Sequence, residues 1–295
     1  MWKETLIVEG PYYFEGVLDR LLLDPLQAVD LSQRTIKVPL FLSTGPHVIT
    51  VQACGSTEDP SFLLSGNQEE SRLEAIQRIE EIFGWRSSLK GINEHFRQTA
   101  LKPLFDAHHG TALVLDFDYF GNLTKSIIHQ QLNLKFAYVL TTRFVQSFGF
   151  QKDGAWFYPR PETVAALTVE QLRELQFSGR KAEYIIGLAN EIVEGRLELE
   201  PLKDASDEEV IAALTKVRGI GKWTAESFLL FALGRSNIFP KADIGIQNAL
   251  KQIMQLEQKP TMEEMAGFMQ AYEPYSSYAA LYLWRSIEKR SEKIK

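Results

Sequence analysis

The segment that most restricts this chain is Leu214-Thr215-Lys216-Val217-Arg218-Gly219-Ile220-Gly221-Lys222-Trp223-Thr224-Ala225. Ahead of it, Ser206-Asp207-Glu208-Glu209 is a capping-box pattern that opens a helix, and the apolar spacing carries that helix to about Val217. Gly219-Ile220-Gly221 then permits a reversal that side chains would obstruct. A second helix runs through Phe228, Leu229 and Ala232 to Gly234. Such a hairpin points backbone N–H groups, from the turn and from the second helix's start, toward one place that suits a phosphate. Lys222 puts a positive charge beside it. A lone Gly-x-Gly between helices is ordinarily a turn and nothing more. Here cap, glycines, lysine and apolar flanks agree across residues 206–234.

The charge balance at first opposes a nucleic-acid partner, because the whole chain carries a formal −6 and phosphate binding depends on neutralisation. The charge is uneven, however. Between residues 212 and 251, six basic side chains (Lys216, Arg218, Lys222, Arg235, Lys241 and Lys251) face only Glu226 and Asp243. A solvated face would explain the same count; its coincidence with the hairpin favours DNA. The single cysteine, Cys54, excludes an internal disulfide and cysteine-based zinc or iron–sulfur sites. No apolar run approaches the roughly 18 residues needed to span a bilayer. Met1-Trp2-Lys3-Glu4-Thr5 lacks a signal-peptide pattern. A monomer without membrane association, working in the cytoplasm, is expected.

At 295 residues the chain has room for two or three compact units. Residues 1-112 read as an antiparallel α+β domain. Ile36–Leu42 and His47–Ala53 are strand-like around the turn residues Ser43-Thr44-Gly45-Pro46, and Leu73, Ile76, Ile79, Ile82 and Phe83 recur at helical spacing before Gly84. Residues 113-295 read as almost entirely helical. Leu123, Ile127, Ile128, Leu134, Ala137, Leu140, Phe144 and Phe148 form one long apolar stripe closed by Gly149. Further capping boxes stand at Thr168 and Thr261, Lys181 to Glu194 forms another helix, and Pro274 precedes a last helix with Tyr278, Leu281, Tyr282 and Leu283. The charged tail from Glu288 is expected to fray. His108-His109 lacks partners at metal-ligand spacing and reads as an interdomain surface.

About twenty residues beyond the hairpin lies Ile238-Phe239-Pro240-Lys241-Ala242-Asp243-Ile244-Gly245-Ile246. Asp243 stands where the next helix should start, and an N-cap is the first reading of an aspartate there. A capping carboxylate is also rigidly held, as one that stabilises a developing cation should be. With these residues in place, Leu214 to Ala249 resembles the core of the helix-hairpin-helix DNA glycosylase superfamily. The chain is similar, more narrowly, to its DNA-3-methyladenine glycosylase II type of bacterial alkylation repair. Ile127-Ile128-His129-Gln130-Gln131-Leu132-Asn133 resembles the family's Ile-Ile-x-Gln-Gln segment, Gly179-Arg180-Lys181-Ala182-Glu183-Tyr184-Ile185 its Arg-Lys-Ala-x-x-Ile helix, and Pro274-Tyr275 with Ser277–Trp284 its final helix. The likeness covers most of residues 120–287 in order.

The resemblance implies an α+β N-terminal domain joined to a bilobal helical region, with a cleft that takes a nucleotide flipped out of the duplex. It implies hydrolysis of the N-glycosidic bond of alkylated purines, 3-methyladenine and 7-methylguanine, in damaged double-stranded DNA. Asp243 matches the catalytic aspartate, which would stabilise positive charge growing on the sugar. Trp223 stands where strand-cutting members carry a Schiff-base lysine, so a monofunctional enzyme is implied. Trp223, Trp284, Ser227 and Tyr272 match base-pocket positions, where aromatic faces attract a cationic base. Gln131 matches the residue that fills the gap left by the flipped base, and Gly219, Gly221, Lys222 and Thr224 match the DNA-contacting hairpin. No cofactor is required. The carbonyls of Thr215, Val217 and Ile220 match positions that hold a monovalent cation, Na⁺ or K⁺, when DNA is bound.

The sequence departs from the pattern at Ser276, where arginine is common, at Tyr272, where tryptophan is frequent, and at Ser227, where a larger residue is usual. These bear on substrate breadth. Two alternatives stay open at this point: a glycosylase for oxidised guanine, which Trp223 disfavours, and a non-catalytic hairpin protein, for which Asp243 and the tryptophans would be superfluous.

Overall fold

The computed structural model describes residues 1–287; the tail expected to fray lies outside them. Five antiparallel strands, β1 (Trp2–Ile7), β2 (Ala28–Asp30), β3 (Thr35–Leu42), β4 (Gly45–Ala53) and β5 (Ser61–Gly66), form a sheet in the order β1-β5-β4-β3-β2. The period-2 alternation of Ile36, Val38 and Leu40 puts all three on its buried face. Leu42 pairs with Gly45, so the β3–β4 turn is Ser43-Thr44 alone. Helix α1 (Phe14–Leu21) follows β1, and α2 (Arg72–Ile82), α3 (Leu89–Phe96) and α4 (Lys102–Ala107) follow β5. Leu73, counted in the apolar stripe of α2, is exposed; Ile79 and Ile82 make the buried contact.

From α5 (Tyr119–His129) onward the chain is helical, apart from a small hairpin of β6 (Phe150–Lys152) and β7 (Ala155–Phe157). The helices are α6 (Leu134–Phe148), α7 (Pro161–Ala165), α8 (Val169–Glu174), α9 (Gly179–Val193), α10 (Asp207–Leu214), α11 (Lys222–Phe231), α12 (Ile244–Ile253), α13 (Met262–Tyr272) and α14 (Ser276–Ile287). The capping boxes at Thr168, Ser206 and Thr261 are formed. The long stripe from Leu123 to Phe148 is two helices rather than one. The chain breaks at Gln130–Asn133, where Gln131 turns to φ +57 and Asn133 caps α6 by accepting from the Phe136 N–H. Apolar period alone does not register a break that preserves the buried face.

Two large cores result, with a small third cluster of Val48, Ala155 and Phe157, and they do not follow the linear order of the chain. One joins the sheet and α1–α4 to the last three helices; Phe105 of α4 stacks on Tyr282 of α14 with ring centroids 3.7 Å apart. The other is built from residues of α5 to α11 with Ile238. The chain leaves the first body near residue 116 and returns near 239, so the hairpin and Asp243 stand at the seam between the two. Arg235, counted in the basic patch, is used inside the fold: its guanidinium meets Asp207 at 3.3 Å and the carbonyls of Lys203 and Ala205.

Candidate active site at the lobe junction

The hairpin's two glycines serve different ends. Gly219 has φ +97, and a Cβ there would meet the Tyr184 ring at 2.3 Å, so only glycine fits. Gly221 is extended and exposed, with nothing within 4 Å of a Cβ. It occupies the N-cap of α11, a helix start without a side-chain cap, which leaves N–H groups for another acceptor. Lys222 projects beside them, 3.8 Å from Glu226. Thr224 is different: it is 2% exposed, and its hydroxyl accepts a hydrogen bond from Gln130 Nε2 at 3.3 Å. Its side chain lies inside the joint between hairpin and α5, not on the outer face.

Asp243 caps α12 through Oδ1, which accepts from the Ile246 N–H at 2.9 Å. The same oxygen accepts from Trp284 Nε1 at 3.0 Å, and Oδ2 accepts from Trp223 Nε1 at 3.2 Å. The cap and the two indole hydrogen bonds are thus one geometry. Three donors on three elements fix the carboxylate plane. Gly245 lets this packing close, since a Cβ there would press on Asp243 and on Trp284 at 3.0 and 3.3 Å.

Trp223, 42% exposed, forms one wall of a cavity of about 290 Å³ between α1, α5, α6 and α11. Ser227 and Phe231, lower on the same face of α11, line it too. Trp284 does not: it packs half-buried against Phe231, ring centroids 5.7 Å apart, with its N–H turned to Asp243. Tyr272 is also elsewhere. It is 2% exposed among Phe96, Phe239 and Phe268, in the core that joins the sheet to the last helices.

The cavity's inner end is polar, which sequence reading missed. Lys125 pairs with Asp116, and Asn122 Nδ2 donates to the same carboxylate at 2.6 Å. Burial would depress the Lys125 ammonium, but the charge and hydrogen bond of Asp116, together with Asp24, outweigh it and the net shift is upward. Burial raises the Asp24 carboxyl. His129, beside them and 3.1 Å from Thr141 Oγ1, is pushed down to about 4 by burial and by Lys125. Asp24 is remote in sequence from Asp116 and Lys125, and the three follow no metal or catalytic spacing, so no pattern flagged them. Among the described residues no group of three or more His, Cys, Asp or Glu is placed to hold a metal ion. His109 instead meets Glu58 at 3.2 Å on the surface.

An α+β body, a two-lobed helical region, a glycine hairpin and a clamped aspartate beside an interlobe cavity define the helix-hairpin-helix class. The HhH-GPD superfamily of base excision DNA repair proteins matches residues 124–274. A Bacillus subtilis (strain 168) protein, provisionally named DNA-3-methyladenine glycosylase YfjP, is 50% identical over 98% of this chain and its own full length. The 3-methyladenine DNA glycosylase structure from Archaeoglobus fulgidus superposes with a TM-score of 0.82 at 25% identity, covering 96% of this chain and 97% of that one. Schizosaccharomyces pombe 3-methyladenine DNA glycosylase, solved with abasic DNA, gives 0.60 at 26% identity over 68% and 98%. The chain belongs to the HhH-GPD superfamily.

Proposed function

We propose that this protein is a monofunctional DNA glycosylase that flips alkylated purines out of damaged duplex DNA and hydrolyses their glycosidic bond, leaving an abasic site. The observation that carries the reading is Asp243, locked by two indole N–H groups beside a cavity that Trp223 walls. N-glycosidic cleavage builds positive charge on the sugar, and a carboxylate held before the reaction stabilises it without reorganisation. A methylated purine such as 3-methyladenine or 7-methylguanine is already cationic, so its departure needs no general acid. Trp223 has no amine to form a Schiff base, which supports hydrolysis without strand cleavage.

The hairpin N–H groups, Gly221 and Lys222 bind a phosphate, and Gln131, exposed at φ +57, enters the gap the base leaves. The carbonyls of Thr215, Val217 and Ile220 hold a monovalent cation that helps neutralise that phosphate; Val217 O accepts from the Ile220 N–H at 3.0 Å and keeps a second lone pair. The enzyme works as a monomer on DNA in the bacterial cytosol. Among the described residues no helix is long and apolar enough to cross a membrane. The division at residue 112 parts the sheet domain from the helical region in sequence, while α12–α14 of the helical region pack into the sheet's core. The test is incubation with duplexes that differ only in the lesion, followed by alkali to reveal abasic sites. Alkali-dependent breaks at methylated purines are expected; breaks without alkali would refute the monofunctional reading.

A further inference from the structure

Helix α5 leaves through the left-handed region on a glutamine, as α8 does at Gln176 and α12 at Gln255. Gly84 at φ +67 and Gly234 at φ +69 follow α2 and α11, the usual device for leaving a helix through the left-handed region. After α5 that conformation falls on Gln131, a residue with a side chain, at a cost glycine would not have. Such a conformation persists where its surroundings over-determine it. Here the residue before it is gripped twice.

The first grip is Lys181, at the start of α9. Its ammonium donates to the carbonyls of Ile127 at 2.9 Å, Ile128 at 2.8 Å and Gln130 at 2.6 Å, three donors for three orphan acceptors of a helix end. The second is the hairpin. Gln130 Nε2 donates to Gly219 O at 2.9 Å and to Thr224 Oγ1 at 3.3 Å. The triangle closes through α9 itself, because Gly219 sits against the ring of Tyr184, one turn beyond Lys181. The end of α5, the start of α9 and the hairpin are therefore one mechanical joint, with Gln131 projecting from it into solvent.

We propose that Lys181, acting with Gln130, is a positioning residue that couples the DNA-gripping hairpin to Gln131 and holds Gln131 in the backbone conformation in which it enters the duplex. The inference rests on the reading of Gln131 as the gap-filling residue. Gln176 and Gln255 take the same conformation after α8 and α12; α5 differs in that the residue before Gln131 is tied to the hairpin as well as to Lys181. The joint keeps a polar side chain aimed outward at a fixed offset from the phosphate grip.

The test is a double-mutant cycle with Lys181→Met and Gln131→Ala. Two readouts are single-turnover release of 7-methylguanine and fluorescence of a 2-aminopurine placed beside an abasic analogue, which brightens when the stack opens. Each single variant should lose about tenfold in release and most of the fluorescence gain, with affinity for undamaged duplex near wild type. The double variant should be no worse than the poorer single. Multiplying losses, or an unchanged Lys181→Met, would overturn the coupling. An unaffected Gln131→Ala would remove the gap-filling role and this inference with it, while base release by the wild type would still stand. If Lys181→Met melts prematurely, Gln130→Leu cuts the same joint on the hairpin side and takes its place in the cycle.

Discussion

Trp284 donates its indole N–H to Asp243 Oδ1 at 3.0 Å, across 41 residues and from a helix that belongs to the sheet's core. Trp223 does the same to Oδ2 from the hairpin helix. The two tryptophans are thus first of all the carboxylate's clamp, and only Trp223 also walls the cavity. The clamp joins elements from both sides of the lobe junction, so the position of the charge depends on how the bodies are packed.

Replacing either indole by phenyl keeps an aromatic ring and deletes one donor. Trp284→Phe and Trp223→Phe should each slow single-turnover release of 7-methylguanine by about 10- to 100-fold, as expected for a misoriented catalytic group. Binding of an abasic duplex should stay near wild type for Trp284→Phe, which lies off the cavity. A variant with full activity would show that the clamp is dispensable.

Asp243→Asn should abolish base release. The amide can still accept from Ile246 and Trp284 through its oxygen, but its NH₂ then faces the Trp223 N–H. One hydrogen bond becomes a donor–donor contact, costing about 1 kcal/mol. Urea unfolding should find a variant slightly less stable, folded and inactive. Measurable release by this variant would remove Asp243 from the chemistry.

Much of this site was legible because it is local. The capping boxes, the hairpin glycines and Asp243 at a helix start are each set by a few adjacent residues. The tertiary partners were not. Nothing near Trp284 says that its N–H points to Asp243, and nothing near Thr224 says that Gln130 covers it. Tyr272 sits at a position the resemblance assigned to the pocket, yet its ring is packed with Phe96, Phe239 and Phe268, because α3 and α4 of the first body reach across to α13 and α14. The polar end of the cavity comes from Asp116 and Lys125, nine residues apart, with Asp24, which only folding brings to them.

The hairpin glycines separate folding from binding. Gly219→Ala meets the Tyr184 ring and forces a side chain to φ +97, so about 1–3 kcal/mol of strain alone is expected, with a lowered melting temperature. Gly221→Ala meets nothing and should melt normally, yet bind damaged and undamaged duplex more weakly because the methyl group faces the phosphate. Lys222→Ala should lower the slope of log affinity against log salt by about one. Normal DNA binding by Gly221→Ala would place the phosphate elsewhere.

His129 gives the protein an acid-labile element. Its pKa falls from 6.5 to about 4 in the folded chain. Unfolding on acidification therefore lets this imidazole take up a proton that the fold refuses. Its contribution to stability is full above pH 6.5, falls as pH drops toward 4, and changes no further below that. With 1.36 kcal/mol per unit and allowance for partial exposure, the loss is about 2 kcal/mol. His129→Gln, which cannot titrate, should lose less stability than wild type between pH 7 and pH 4.5 in urea unfolding. Equal losses would mean that the imidazole is accessible to protons.

Ser227 sets how much room the base has. It lines the cavity one turn below Trp223, and its small side chain leaves space that extends toward the polar end. The aromatic wall favours cationic bases, whose departure needs no general acid. Wild-type protein should release 3-methyladenine and 7-methylguanine fastest, hypoxanthine and ethenoadenine slowly, and 8-oxoguanine least. Ser227→Tyr fills the space from the wall inward, so the bulkiest base should suffer first. Ethenoadenine release should fall about tenfold or more relative to 3-methyladenine, the scale on which pocket shape discriminates between substrates. Single-turnover rates on matched duplexes decide the matter. An unchanged ratio would show that the base does not reach Ser227, and faster release of 8-oxoguanine than of the methylated purines would defeat the charge argument while leaving base excision itself intact.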